Sequence, residues 1–157
     1  MKPEIGLKAK EMKAACRDLT HLLADEFVLY TKTRKFHWNV TGISFNDLHK
    51  FFEAQYDDLA KFVDDVAERI RQLGEFAIGT FAEFLEHTCL KEHAGKNPDA
   101  KGMLKELLSD HESIIRDIRQ YIKKASDVHE DEGTANFLTD LLEKHEKMAW
   151  MLRSFLS

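Results

Sequence analysis

Five residues of metal-binding type lie in the first half of the chain, at intervals that suit helices. His37 precedes a short break in the apolar pattern, and His49, Glu53, Asp64 and Glu68 follow it. Imidazole and carboxylate groups suit iron(II), zinc or manganese, and carboxylates that bridge favour a pair of metal ions over one. The residue types therefore predict a metal site, and redox chemistry on a di-iron pair is the most specific form of that prediction.

Spacing along the second predicted helix divides these residues into two half-sites. Glu53 follows His49 by four residues and Glu68 follows Asp64 by four, so each pair shares a helix face. Fifteen residues separate His49 from Asp64, which is about 22 Å along a helix axis, whereas metal–ligand bonds are about 2 Å long. One metal ion cannot join the pairs. A tight helical hairpin would return His37 to His49 and complete the first half-site.

The missing ligands must come from elsewhere. Ferritin-like bundles usually complete a di-metal site within one chain through Glu-x-x-His motifs, but no histidine of this chain has Glu three residues before it. A second copy of the chain is the remaining source. If two copies of the second helix cross antiparallel about a two-fold axis, His49 of one faces Glu68 of the other and Glu53 faces Asp64, which gives two identical intersubunit sites.

Each of these residues also has an ordinary structural interpretation. A carboxylate pair such as Asp64 and Glu68 is commonly a solvated helix face, and Arg69 or Arg71 could simply pair with it. By spacing alone Trp38 is a core or interface aromatic, although beside a metal ligand it could also donate an electron. Tyr56 and Trp150 are expected to pack and not to react. The remaining histidines are interpreted as surface or hydrogen-bonded residues without an assigned role, and they are His21, His87, His93, His111, His129 and His145.

Four long segments with apolar residues at three- and four-residue steps must position these side chains, and such periodicity predicts helices. The segments span 8–36, 45–73, 98–126 and 134–155, and the connection 75–97 holds a predicted short helix near 80–86. Short first and third connections make antiparallel neighbours, while a long second connection lets helices two and three run parallel. This predicts an all-α, ferritin-like four-helix bundle with a short helix in the crossover.

Composition indicates one soluble domain. Of the 157 residues, 43% are hydrophobic and 32% charged, so residues 1–157 are predicted to form a single domain with a substantial core. The net charge of -5 gives nucleic-acid binding no support. No apolar run approaches a membrane span and no signal peptide is recognised, so we expect a cytoplasmic protein. Cys16 and Cys89 form no CxxC pair and are predicted to be free thiols.

The stretch from Lys35 to His49, followed by Phe52-Glu53 and by the segment from Asp64 to Ile70, resembles the Dps family, the mini-ferritins also called DNA-binding proteins from starved cells. The resemblance covers most of the chain and extends to Thr134-Ala135 and Trp150. It implies a homododecamer with 23 symmetry. It also implies a di-iron ferroxidase centre between two-fold-related chains.

The resemblance assigns five metal ligands, with His37, His49 and Glu53 from one chain and Asp64 and Glu68 from its neighbour. Trp38 matches the tryptophan beside the centre in the family, and many members have Asp where this chain has Glu53. The implied reaction is oxidation of Fe(II) to Fe(III), preferably by hydrogen peroxide, with storage of ferric mineral inside the shell. This chemistry would protect DNA from oxidative damage. Zinc is the expected substitute for iron in the site.

The acidic turn before the last helix resembles the lining of the family's three-fold iron pores, and Asp127, Asp131 and Glu132 are the candidates. Many members carry Asp where this chain has Asn136, so we expect a less acidic pore. The short N-terminal arm, which includes Lys2, has mixed charge. Weak or absent DNA binding at physiological salt is therefore predicted.

Two other functions stay open on the residues alone. One is a nucleoid-binding structural protein with a vestigial iron site, which would be nucleoid-associated in the cell. The other is a structural helical dimer with a solvated carboxylate face. The particle mass separates the dimer from a shell, and oxidation of Fe(II) separates an active ferroxidase from the nucleoid protein.

Overall fold

The computed structural model describes residues 3–157, so Lys2 of the N-terminal arm lies outside the described residues. The helices are α1 (Ala9–Asn39), α2 (Phe45–Gln72), α3 (Phe81–His87), α4 (Ala100–Asp127) and α5 (Glu132–Leu156), and residues 3–157 contain no strand. Four long helices with a short one in the long second connection confirm the predicted architecture. In the part described, no helix is both long and apolar enough to cross a membrane.

Helix pairing follows the lengths of the connections. α1 packs mainly against α2, and α4 packs mainly against α5, as short connections require of antiparallel neighbours. α1 also contacts α3 and α4, whereas the contact between α2 and α5 is small. Because α1 lies against three other helices, even consecutive residues on it are buried, and Ala24, Asp25 and Glu26 are all removed from solvent.

The first helix ends three residues later than the sequence predicts. The side-chain amide of Asn39 donates a hydrogen bond of 2.7 Å to the carbonyl oxygen of Lys35, and this bond supports one more turn. The reversal then follows at Gly42, whose φ of +104° is in the left-handed region that favours glycine. As a result, His37 and Trp38 lie in the last turn of α1, on regular backbone, and not in a loop.

Local signals in the sequence mark the end of α2 and the start of α3. Gly74 follows α2 with φ +96°, as predicted for a glycine that ends a helix. A Cβ there would lie 2.7 Å from the ring of Pro3, so the N-terminal segment packs closely against this turn. Thr80 and Glu83 form a reciprocal capping box that begins α3.

The last helix begins two residues earlier than predicted because Asp131 caps it. The Asp131 carboxylate accepts hydrogen bonds from the backbone N–H of Thr134 at 2.9 Å and from Arg69 of α2 at 3.2 Å. Asp131 is only 4% exposed. Of the three predicted pore residues, therefore, only Asp127 and Glu132 are on the surface of the chain.

Asp131→Ala should destabilise the protein by about 2–3 kcal/mol, because it removes a helix cap and leaves Arg69 without its carboxylate. Urea denaturation monitored by circular dichroism measures the change. Asp127→Ala is the matched control, since Asp127 is exposed, and it should shift stability by less than about 0.5 kcal/mol. Equal effects of the two variants would show that the cap contributes nothing.

Both cysteines are free, as predicted: Cys16 is buried and Cys89 is exposed. Burial raises the pKa of the Cys16 thiol to about 11. The pKa of Cys89 is also raised, by partial burial and then by the negative charge of Asp25. Neither thiol is activated as a nucleophile, because reactive cysteines have lowered pKa values.

Three ionisable side chains, which we call the core triad, form a hydrogen-bonded row inside the bundle. Oε1 of Glu26 on α1 lies 2.6 Å from Nε2 of His145 on α5, and Nδ1 of His145 lies 2.9 Å from Nδ1 of His111 on α4. All three residues are 0% exposed. Phe62 of α2 packs against the His145 ring. The triad therefore links three helices directly and contacts the fourth.

Within the triad, each neighbouring pair of side chains shares one proton in a hydrogen bond. His145 uses both of its ring nitrogens, one toward each neighbour, so the three side chains form a row and do not converge on a point. Burial, and then the neighbouring His145, lower the pKa of His111 well below its usual range, so His111 is neutral in the folded protein. Within residues 3–157, Nε2 of His111 and Oε2 of Glu26 have no hydrogen-bond partner.

Stability should fall with acidification because of His111. Its pKa is lowered by folding, so its contribution is fully present above the unfolded pKa of about 6.5 and is lost below it, by about 1.4 kcal/mol per pH unit. Urea denaturation at about pH 7.5 and 5.5 measures the slope. His111→Gln should reduce that slope, whereas His21→Gln, which removes an exposed histidine, should not. Equal slopes in all three proteins would contradict the assignment.

Candidate metal centre

The hairpin between α1 and α2 brings His37 and His49 together. Their rings stack with centroids 3.8 Å apart and an interplanar angle of 21°. Nδ1 of His37 lies 2.8 Å from the carbonyl oxygen of His49, and Nδ1 of His49 lies 2.9 Å from the carbonyl oxygen of His37. The two contacts are reciprocal, and they join the last turn of α1 to the first turns of α2.

These contacts determine where each ring carries its proton. A carbonyl oxygen can only accept a hydrogen bond, so each Nδ1 must carry the hydrogen and donate it. In a neutral imidazole the lone pair then lies on Nε2. Metal-binding histidines usually have one ring N–H bound to a carbonyl or carboxylate in this way, which orients the ring and leaves the other nitrogen for the metal. The two imidazoles thus fit iron(II).

Two aromatic rings hold the histidines in place. Phe45 stacks on His49 at 5.1 Å between ring centroids, and Tyr56 packs edge-on against His37 at 5.2 Å. Glu53, one turn beyond His49, is exposed. Partial burial, and then the negative charges of Glu53 and Asp57, raise the pKa of Tyr56. The phenol of Tyr56 therefore stays protonated beside the histidines.

The second pair of ligands lies at the far end of α2. The helix is unbroken from Phe45 to Gln72, so the separation of about 22 Å between His49 and Asp64 is maintained in the folded chain. Across residues 3–157, no three His, Cys, Asp or Glu side chains are grouped closely enough to hold a metal ion. One chain therefore presents two incomplete half-sites: the histidine half-site (His37, His49 and Glu53) and the carboxylate half-site (Asp64 and Glu68).

The arginines beside the carboxylate half-site bond elsewhere. Arg69 donates to Asp131, Thr134 and Gln72, and Arg71 donates to the carbonyl oxygen of Glu75. None of the ion pairs found in residues 3–157 includes Glu53, Asp64 or Glu68. The alternative that Arg69 and Arg71 neutralise these acids is therefore wrong.

The face of α2 that carries both half-sites is open to solvent. Glu53, Asp64 and Glu68 are exposed, and so is the small residue Ala60 between them. No other helix of the same chain covers these side chains. Small residues allow the close approach of a second helix, as expected for a face that pairs with another copy.

Trp38 is not a core residue. Its side chain is 62% exposed, next to the buried His37. The guanidinium of Arg34 lies 5.2 Å from the centre of its ring, which is within cation–π distance. Of the roles that the sequence allowed, packing in the core is excluded, and an interface or a redox role is left.

The chain is similar to known proteins over most of its length. A ferritin-like domain family matches residues 16–157. A low temperature-induced protein of Nostoc sp. is 45% identical over 152 residues, which cover 97% of this chain and 85% of that protein. A DNA protection during starvation protein of Helicobacter pylori is 35% identical over 139 residues, 88% of this chain and 96% of that protein.

The fold of this chain is also similar to that of a solved structure. The Dps protein of Vibrio cholerae O1, described as a member of a broad superfamily of ferritin-like diiron-carboxylate proteins, superposes with a TM-score of 0.94 at 31% identity. The superposition covers 99% of this chain and 97% of that one. Family match, sequence identity and fold agree over nearly the whole length, so this chain belongs to the Dps family of ferritin-like proteins.

Proposed function

We propose that this protein is a ferroxidase, which oxidises Fe(II) to Fe(III) at sites between two-fold-related subunits and stores the ferric product in a hollow shell. The observation that supports the proposal best is that α2 carries a different set of candidate ligands at each end. One end has two histidines with Nδ1 already bonded and Nε2 available. The other end has two exposed carboxylates without ion-pair partners in the described chain.

Two-fold pairing of α2 would join the half-sites in a single register. Antiparallel crossing that sets His49 opposite Glu68 also sets Glu53 opposite Asp64, because both pairs are centred between residues 58 and 59. One axis therefore serves both contacts, and the symmetry generates a second identical site. This agreement of register supports an intersubunit centre.

The combined donor set suits a pair of Fe(II) ions as substrate. Two imidazoles and three carboxylates supply ligands for two metals, and a carboxylate can bridge them. The balanced reaction is 2 Fe(II) + H2O2 + 2 H+ → 2 Fe(III) + 2 H2O. Because two irons deliver both electrons, peroxide is reduced to water without release of hydroxyl radical. Zinc accepts the same donors, so we expect added zinc to inhibit oxidation.

The acidic turn supports a route for iron into the shell. Asp127 and Glu132 are exposed, and several copies around a symmetry axis would attract cations. Asp131 would act indirectly, since it caps α5 and pairs with Arg69. We propose a homododecamer in which this turn lines the pores. The net charge of -5 supports weak or absent DNA binding, so that protection of DNA would come from removal of iron and peroxide.

Two measurements test the proposal. Light scattering should give a particle of about twelve times the chain mass of 18.2 kDa. Fe(II) added anaerobically and then treated with peroxide should be oxidised at two irons per peroxide, with ferric product retained by the protein. A dimer, or peroxide consumption without retained iron, would contradict the proposal.

A further inference from the structure

A row of aromatic rings leads away from the histidine half-site. The Tyr56 ring lies 5.2 Å from the His37 ring, and the Tyr30 ring lies 6.3 Å from the Tyr56 ring, both as edge-to-face contacts. Tyr30 and Tyr56 are half-buried. Electrons move readily between side chains in contact at such distances. The two phenols are therefore placed to exchange an electron with iron held by His37.

Arg34 joins this row to Trp38. Its guanidinium lies 5.5 Å from the centre of the Tyr30 ring, 5.2 Å from that of Tyr56 and 5.2 Å from that of Trp38. Its Nη1 donates a hydrogen bond of 2.6 Å to the Tyr30 hydroxyl. One fixed positive charge therefore acts on all three oxidisable rings near the half-site.

That charge distinguishes tyrosine from tryptophan as an electron donor. Loss of an electron from Trp38 first creates a positively charged radical beside Arg34, and like charges at this distance repel. A phenol loses its proton together with the electron, so Tyr56 would become a neutral radical that Arg34 does not repel. The surroundings favour oxidation of Tyr56.

We propose that Tyr56 is the one-electron donor of this site when a single Fe(II) meets hydrogen peroxide, and that Tyr30 exchanges electrons with it. The inference rests on the proposed ferroxidase function. A lone Fe(II) supplies one electron, whereas breaking the O–O bond to give two waters needs two. Without a second donor, the missing electron would leave hydroxyl radical.

The step balances with the phenol as that donor: Fe(II) + TyrOH + H2O2 + H+ → Fe(III) + TyrO• + 2 H2O. The O–O bond breaks, iron and tyrosine each lose one electron, and the phenolic proton ends in water. A second Fe(II) restores the phenol: Fe(II) + TyrO• + H+ → Fe(III) + TyrOH. The sum is the reaction of an iron pair, so Tyr56 acts as a temporary store of one oxidising equivalent.

The test compares the wild type with Tyr56→Phe, Tyr30→Phe and Trp38→Phe at two iron loadings. The assembled proteins receive anaerobically one Fe(II) per site, then one peroxide, and are frozen for electron paramagnetic resonance. A parallel sample contains a spin trap for hydroxyl radical. Ring-deuterated tyrosine identifies the radical, because deuteration changes its hyperfine pattern only if the spin is on tyrosine.

At single loading, the wild type and Trp38→Phe should give a tyrosyl signal and little trapped hydroxyl radical. Tyr56→Phe should lose the signal and trap hydroxyl radical, and Tyr30→Phe should retain the signal with a shorter lifetime. Light scattering and anaerobic titration with Fe(II) check that Tyr56→Phe has the wild-type assembly and still binds iron. At two Fe(II) per site, the wild type is the reference for ferroxidase activity.

Three results would overturn the inference while leaving the ferroxidase intact: an unchanged signal in Tyr56→Phe, loss of the signal in Trp38→Phe, or equal trapping of hydroxyl radical in the wild type and Tyr56→Phe. A wild type that oxidises no iron at the double loading would overturn the ferroxidase proposal itself. The two failures are therefore distinguishable.

Discussion

Replacement of both Asp64 and Glu68 by alanine is expected to slow peroxide-driven oxidation of Fe(II) by at least about 100-fold, because the change removes ligands themselves, and loss of mere supporting partners already costs 10–100-fold. Both side chains are exposed and have no ion-pair partner in the described residues, so the fold should lose little stability. Stopped-flow absorbance measures the rate, and light scattering checks the assembly.

Asp65→Ala is the matched control for this variant. Asp65 is an exposed neighbour of Asp64, but its side chain leaves α2 about 100° around the helix axis from that of Asp64, so its removal should leave oxidation unchanged. His49→Ala should lose activity as the double variant does, since it removes a ligand from the other half of the same site. Iron oxidation by the double variant at the wild-type rate would show that the site lies elsewhere.

Co-assembly of two inactive variants tests the sharing of the site between chains. Consider a His49→Ala chain paired with an Asp64→Ala, Glu68→Ala chain. One of the two sites between them lacks all three altered ligands, because each chain contributes its altered half-site there. The other site combines the two unaltered half-sites and keeps a full set of ligands. Random mixing should restore about a quarter of the sites, because half of the pairs are mixed and each has one intact site. No recovery in assemblies shown to be mixed would exclude an intersubunit centre.

Glu26→Ala should have the largest effect on stability, with a loss of about 3–5 kcal/mol, because it leaves buried polar groups of the core triad unpaired. Glu26 is 0% exposed and bonds to His145 at 2.6 Å. Urea denaturation at neutral pH measures the change. A loss below about 1 kcal/mol would mean that water or a rearranged His145 replaces the carboxylate.

Replacement of the whole triad by leucine is the informative comparison. Buried ion pairs and polar groups stabilise little against apolar residues of similar volume, so Glu26→Leu, His111→Leu and His145→Leu together should be neutral or stabilising. Two atoms of the triad have no partner in residues 3–157, which strengthens that expectation. A triple variant less stable than Glu26→Ala would contradict it.

The helices and the division of the metal ligands were predictable from local properties of the chain. Apolar periodicity identified the four long helices, with errors of three residues or fewer at the ends of the helices that flank the site. The rise of 1.5 Å per residue separates His49 from Asp64 by about 22 Å in any α-helix that contains both. Gly74 was recognised as a helix end because few other residues adopt a positive φ.

Other features depended on contacts that periodicity does not describe. Asp131, a predicted pore residue, is buried because it caps α5 and pairs with Arg69. Trp38 proved exposed although its neighbour His37 is buried. The core triad was missed, although Glu26, His111 and His145 occupy apolar-stripe positions on their helices. A polar residue at such a position was the available signal.

By itself the sequence determined an all-α bundle, its order of helices, and a helix whose ligands no single metal ion can join. These follow from backbone geometry, which is the same for every α-helix. Only the tertiary structure decided that the histidines bond to each other's carbonyls, that Tyr56 contacts His37 and that Glu26 meets two histidines from distant helices. Such contacts depend on how separate helices pack. The apolar periodicity of each helix does not determine how one helix is rotated relative to another.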